Sequence, residues 1–223
     1  MSDSTSGSDW ISPAAFHRAP DVSDWRVTSG GPQAVFTSTS LAQAAALVAP
    51  VTAAAEEFGV LPDIDVRPEG VIVRIPGDNP VAIPTAAIAF ATAVSAAATN
   101  LGLTANPSLV QTIGVYVAEY SRADVRPFFT AALGYDDLWD SDAIDPLRRG
   151  PQLAFNPISG DSPARGRSHF DVYVPADQAK ARVDAALAAG GRLVDDTHAP
   201  AWWTIASPDN HGIDIASWPD TYE

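Results

Sequence analysis

The chain has 223 residues, enough for one large domain or two small ones, and 46 % are hydrophobic, which suffices for a buried core. Against 13 Lys and Arg stand 27 Asp and Glu, a formal charge of -14 that repels nucleic acid and anionic membrane. Cysteine is absent, which excludes disulfides, thiolate nucleophiles and thiolate metal sites. Residues 1–9 are polar, without a basic segment or an apolar run behind them, and read as a flexible tail rather than a signal peptide.

Asp24–Val27 and Ala34–Thr37 read as strands around Ser29-Gly30-Gly31-Pro32, a hairpin-type connection. Leu41–Phe58 reads as an alanine-rich helix capped by Ser38 or Ser40, which Pro50 should kink or break. Ile64–Arg67 and Val71–Ile75 are expected as strands around Pro-Glu-Gly. A second helix starts at Pro84 or Thr85 and ends near Gly102. The apolar stretch Ala82–Leu103 is mostly alanine and is interrupted by Pro84, Thr85, Ser95, Thr99 and Asn100. It is expected as a buried helix of a cytoplasmic protein, not a membrane span. This order predicts an antiparallel sheet with helices on one face over residues 10–104, then a linker at 105–110 marked by Asn106-Pro107.

Residues 111–223 contain an internal repeat. Val115-Tyr116-Val117 recurs as Val172-Tyr173-Val174, an offset of 57, and Gly134 recurs as Gly191. The first copy has a helix over about Arg122–Leu133 and strands near Tyr135–Trp139 and Gln152–Asn156. The second has a helix at Ala176–Ala189 and strands near Arg192–Val194, Trp202–Ala206 and Gly212–Ala216. Tandem βαβββ units in an α+β chain are the expected fold. His169, Asp171 and Tyr173 share one strand face, as do Thr112, Gly114 and Tyr116 on the first strand. Ile113, Val115, Val117, Phe170, Val172 and Val174 fall on the opposite faces and suit a core. Asp214 follows the polar side of the last strand. Of Trp202 and Trp203, one faces the expected pocket and the other the core.

Ser121-Arg122-Ala123, Phe128-Phe129, Ala132-Leu133-Gly134-Tyr135, Ser168-His169-Phe170-Asp171 and Ser207-Pro208-Asp209-Asn210-His211-Gly212-Ile213-Asp214-Ile215 resemble the vicinal-oxygen-chelate, or glyoxalase/bleomycin-resistance, superfamily. The resemblance covers about residues 110–218 and implies a concave pocket. It also implies four metal-ligand positions, which fall on Thr112, Asn156, His169 and Asp214. With only His169 and Asp214 competent, the expectation is no metal and no cofactor. A divalent cation at those two residues is the alternative.

Asp24-Trp25-Arg26-Val27, Ala55-Glu56-Glu57-Phe58, Pro62-Asp63-Ile64 and Gly70–Ile75 resemble pterin-4a-carbinolamine dehydratase over about residues 10–103. That family's His-His-Pro motif stands here as Val60-Leu61-Pro62, and its later histidine falls near Pro76. No imidazole serves the dehydratase chemistry, so the first half is expected as scaffold, dimer surface or lid.

The resulting expectation is a small-molecule enzyme of the lyase, dehydratase or isomerase class working by metal-independent acid/base chemistry. His169 would move the proton, and Asp171 and Asp214 would orient it or share its charge. Thr112, Tyr116, Asn156, Tyr173, Trp202 and Trp203 would line the substrate site. The alternatives are a drug-sequestering binder and a retained pterin dehydratase. Arg148, Arg149, Arg165 and Arg167 form a local positive cluster before His169, able to guide an anion or simply solvated. His198 and His211 fall in loops. The expected partners are a small molecule and a second copy of the chain, with no nucleic acid and no membrane.

Overall fold

A computed structural model describes residues 9–77, 82–120, 125–158, 168–206 and 212–217, the side chains of residues 119, 120, 128, 131 and 132 excepted. Residues 1–8 of the expected tail, Ser121-Arg122-Ala123, Arg165, Arg167 and the stretch Ser207–His211 lie outside the described residues. The chain divides into two compact units, the first running to Val110 and the second spanning Gln111–Ala216. Among the described residues no helix is long and apolar enough to cross a membrane.

The first unit opens with β1 (Trp10–Ile11) and α1 (Pro13–Arg18), then β2 (Trp25–Thr28) and β3 (Gly31–Thr37). Next come α2 (Leu41–Ala45), α3 (Val48–Phe58), β4 (Asp63–Arg67), β5 (Gly70–Arg74), β6 (Ile83–Pro84), α4 (Ala86–Asn100), β7 (Thr104–Ala105) and a 3-10 turn at Pro107–Leu109. The sheet runs β2-β3-β5-β4 with every pairing antiparallel, and β7 adds to the end of β3. Alternation sends Trp25, Val27, Ala34, Phe36, Val71 and Val73 to one side. There they form a single core with Phe16, Leu47, Val51, Phe90 and Val94 from the helices.

Local chemistry explains the boundaries. Ser12 caps α1 by accepting from Ala15 N–H, and Pro13 sits where a helix needs no N–H. His17 accepts from the Val27 amide at 3.2 Å, so this histidine ties helix to strand. Ser40 is the cap of α2, whereas Ser38 donates to Pro68 O across the sheet. Pro50 stands in the first turn of α3, and the long helix breaks upstream of it, at Ala46 and Leu47. A proline ring collides with the carbonyl four residues earlier, here that of Ala46. Val60, at the place of the dehydratase motif, is buried, and Leu61 is exposed.

The segment expected as a linker is hydrogen-bonded into the first unit. Thr104 and Ala105 pair with Thr37 and Phe36, the Asn106 amide donates to Val35 O at 2.8 Å, and Val110 is buried.

The second unit has the order β8 (Thr112–Tyr120), α5 (Arg126–Leu133), β9 (Asp136–Leu138), β10 (Asp142–Ile144), β11 (Gln152–Ile158). It continues with β12 (Ser168–Tyr173), α6 (Ala176–Ala188), β13 (Arg192–Asp195), β14 (Trp202–Ala206) and β15 (Gly212–Ala216). Its sheet runs β13-β14-β15-β12-β8-β11-β10-β9. The two first strands meet antiparallel at the centre, and each has its own repeat's last strand parallel on its other side. Thr112 pairs with Tyr173, Gly114 with Asp171 and Tyr116 with His169. An offset of 57 exchanges the first and third pairs and maps the middle pair onto itself. Gly114 and Asp171 therefore sit on the pseudo-twofold axis between the repeats.

Three expectations are corrected here. The glycine ending α6 in the left-handed region is Gly190, φ 98°, and not Gly191; a Cβ on Gly191 would stand 2.7 Å from Ala186 O. Helix α5 starts at Arg126 with Pro127 in its first turn, four residues later than expected. Phe170 is about half exposed and its strand neighbour Ile213 is 38 % exposed, so they are not core residues. Among the described residues the apolar side is filled in two separate clusters, one around Val174, Val183, Ile205 and Ile215 and one around Ala143, Leu153 and Phe155. Phe170 and Ile213 belong to neither cluster.

Candidate functional site

The polar face of the second sheet is organised as cross-strand rows. One row runs Asp142, Ala154, Tyr116, His169. The next runs Gln152, Gly114, Asp171, Asp214, Thr204. A third runs Thr112, Tyr173, Ala216, Trp202. Neighbouring strands stand about 4.8 Å apart, so adjacent members of a row touch or nearly touch.

His169 Nε2 lies 3.2 Å from Asp171 Oδ1 and 3.6 Å from Asp214 Oδ2. The imidazole is 39 % exposed, while Asp171 is buried and Asp214 largely so. Asp171 close by raises the pKa of His169. Partial burial opposes this, and the charges of Asp171 and Asp214 add to the rise. Asp214 is also shifted upward, first by burial. A bond from Thr204 opposes that shift, and the charge of Asp171 reinforces it. The Tyr116 ring stacks on His169 at 5.2 Å and 25°. Its hydroxyl meets that of Tyr173 at 3.1 Å, and Tyr173 donates to Asp171 Oδ2 at 3.1 Å. Burial raises the Tyr116 pKa and keeps its hydroxyl protonated. The Tyr173 contact opposes this, and the charges of Asp171, Asp142 and Asp214 support it. Gly114 makes the convergence possible: a Cβ there would lie 3.3 Å from the Tyr173 ring and 3.8 Å from both Asp171 Cβ and the Tyr116 ring.

His169, Asp171, Asp214, Tyr116 and Tyr173 thus come together. The other expected residues do not all join them. Thr112 is level with Tyr173, two strand pairs from the His169 level. Asn156 is exposed, opposite Ala118 and beyond the Tyr116 level. The register makes Gln152, opposite Gly114, the counterpart of Asp214, opposite Asp171. That is an offset of 62 (214 minus 152), so the offset of 58 that gives Asn156 points to the wrong residue of β11. Trp202 lies on the polar face and stacks on His198 at 4.0 Å, whereas Trp203 packs into the core beside Ile215.

Two residues outside the sequence-based set complete the site. Gln152 donates to Asp142 Oδ2 at 2.6 Å, and Thr204 hydrogen-bonds Asp214. Correct strand register was the signal that would have found both. In the expected positive cluster, Arg149 is engaged by Asp145 at 3.0 Å. That arginine, with the amides of Leu147, Arg149 and Gly150, holds the Asp145 carboxyl well below the usual range.

The donor atoms of His169, Asp171 and Asp214 lie within 4.8 Å of one another and could hold a metal ion. They fit a divalent cation in one further respect: Asp171 Oδ1 is buried and, among the described residues, accepts no well-aligned hydrogen bond, with His169 Nε2 3.2 Å away. A cation held by these three side chains would polarise an oxygen of a bound molecule.

Residues 115–216 match the family model described as "Glyoxalase-like domain". No curated protein matches the chain. Among solved structures, a glyoxalase/bleomycin resistance protein/dioxygenase superfamily member from Vibrio splendidus 12B01 is 15 % identical, with a TM-score of 0.32. The match covers 48 % of this chain and 97 % of that one. Residues 115–216, the stretch that carries the His169 cluster, are therefore similar to a glyoxalase-like domain over a little less than half of the chain.

Proposed function

We propose that the second unit is a small-molecule enzyme of the lyase, dehydratase or isomerase class in which His169 transfers a proton. The observation that carries this reading is the placement of His169 Nε2 against two carboxylates, 3.2 Å from Asp171 and 3.6 Å from Asp214, on a polar sheet face. Flanking carboxylates favour the imidazolium, a general acid. Once it has delivered its proton, the same ring is a base held in place by the same partners. Asp171 and Asp214 stabilise the positive ring, and Tyr116 fixes its plane by stacking. Tyr173 holds Asp171 from the side away from His169. The reading needs no metal. The first unit, whose dehydratase resemblance rests on sequence alone, serves as scaffold, and pterin dehydration is not proposed for it.

All three reaction types begin with or pass through proton transfer at carbon or oxygen. A test that needs no known substrate is therefore deuterium exchange at C–H positions beside the carbonyl groups of a panel of small oxo compounds, followed by proton NMR in heavy water. Wild-type protein should accelerate exchange in at least one compound, and His169→Ala should abolish the acceleration with an unchanged circular dichroism spectrum. Exchange equally fast in His169→Ala would remove His169 from the chemistry. Tight ligand binding without any exchange would favour a sequestering protein instead.

A further inference from the structure

Asp171 is where the two repeats stop being equivalent, since its partner on the pseudo-twofold axis is Gly114. The hydrogen bonds around it have a fixed polarity. A carboxylate only accepts, so the proton of the Tyr173 hydroxyl goes to Asp171 Oδ2. Tyr173 has one hydroxyl proton, so in the contact between the two tyrosines Tyr116 must donate. Tyr116 Oη is then left with lone pairs to offer and no proton. The second Asp171 oxygen, Oδ1, accepts no well-aligned hydrogen bond among the described residues and has only the ion-pair contact with His169 Nε2 at 3.2 Å. Asp214 adds another acceptor beside it. The third carboxylate of this face is different. Asp142 takes Gln152 Nε2 at 2.6 Å on one oxygen and Ser141 Oγ at 2.9 Å on the other, so its bonding is satisfied within the fold.

We infer that the site binds its ligand through a protonated amine, placed against Asp171 Oδ1 and Asp214. An ammonium group is donor-only and positive, the complement of a surface that offers acceptors and negative charge. Even with His169 protonated, the two carboxylates outnumber its single positive charge, so a ligand carboxylate or phosphate is disfavoured and a neutral hydroxyl leaves one negative charge unmatched. His169 and Asp214 are the more exposed members of the cluster, and an ammonium reaching Oδ1 requires the His169 ring, 3.2 Å from it, to turn aside.

This rests on the proposed site but not on its chemistry. The probes are benzylamine, benzyl alcohol, benzoate and manganese(II) chloride, titrated into the full chain. Binding is followed by calorimetry and by the His169 ring signals in proton NMR. Benzylamine should bind about tenfold or more tightly than benzyl alcohol, as expected for one charge-assisted contact, and benzoate should not bind. Asp171→Asn should reduce benzylamine affinity to that of the alcohol. Should Asp171→Asn fail to fold, Asp214→Asn, at the more exposed partner, should weaken benzylamine at least severalfold. Equal affinity for amine and alcohol, benzoate binding at the His169 signals, or amine binding indifferent to both variants would overturn the inference. So would manganese saturating the cluster with no competition from benzylamine. Loss of amine selectivity with His169-dependent exchange intact would refute this inference alone.

Discussion

At the scale of single residues, Asp171 controls the site more than His169 does. One of its oxygens is tied by Tyr173 and the other faces His169, so every neighbour is set by its position. The His169 pKa is raised above its ordinary value of 6.5, and Asp171 is the first cause. Both His169 and Asp214 bind their protons more tightly in the folded chain. Each therefore contributes stability that is complete below its unfolded pKa and is lost as pH rises through the folded value. In an NMR titration, Asp171→Asn should lower the His169 midpoint toward the ordinary value. An unmoved midpoint would mean that Asp171 is not what holds the proton. The tyrosines give a second, graded prediction. Tyr173→Phe removes the donor to a buried carboxylate and should cost about 1–3 kcal/mol in denaturant unfolding. Tyr116→Phe removes only the bond between the two hydroxyls and should cost about 1 kcal/mol. The reverse order would contradict the polarity assigned to the chain Tyr116, Tyr173, Asp171.

At the scale of elements, glycines with left-handed backbone separate two kinds of constraint. Gly31, between β2 and β3, has φ 91° and lies so close to Ile75 O that an added Cβ would be 2.3 Å away. Gly134, ending α5, has φ 68° and open space around it. Gly134→Ala should cost about 1 kcal/mol from backbone strain alone. Gly31→Ala should cost several times that, because a backbone carbonyl cannot step aside as a side-chain tip can. Thermal melts of the two variants test the ranking. The same contrast explains what was legible in the sequence. Elements set by local rules could be read: the α3 break from Pro50, the Ser40 cap, and the polar and apolar alternation of β8 and β12. The shared face of His169 and Asp171 follows from alternation within one strand. Which residue of β11 stands level with Asp214 does not. It depends on how strands far apart in sequence align, and a lengthening of the second repeat moved that position from Asn156, at an offset of 58, to Gln152, at 62. The exposure of Phe170 was illegible for the same reason. Alternation assigns a side of the sheet but not whether a helix covers it. The short pieces β1, β6 and β7 carry two residues each and have no periodicity to read.

At the scale of the whole chain, the two units are held together internally in different ways. The first has one continuous core joining its sheet to four helices. Among the described residues the second has two small clusters on the apolar side of a long sheet, beside the buried polar group around Asp171. This makes the boundary near residue 110 a physical question. Residues 104–110 look like a connector by composition, yet β7 pairs with β3. Thr37 donates from Oγ1 to Thr104 O at 3.0 Å, Asn106 N–H donates to Val35 O, and Val110 is buried. A fragment of residues 1–110 should therefore unfold cooperatively in denaturant by itself. A fragment of residues 1–103 retains the core residue Leu103 but loses the β7 pairing and leaves the edge carbonyls and amides of β3 open to water. At roughly 1 kcal/mol for each lost bond, it should be less stable by about 2 kcal/mol or more, with the loss seen as a lower midpoint at a nearly unchanged slope. Equal midpoints for the two fragments would show that residues 104–110 are a passenger of the first unit. A shallower slope in the shorter fragment would show that its native state had loosened rather than merely lost an edge.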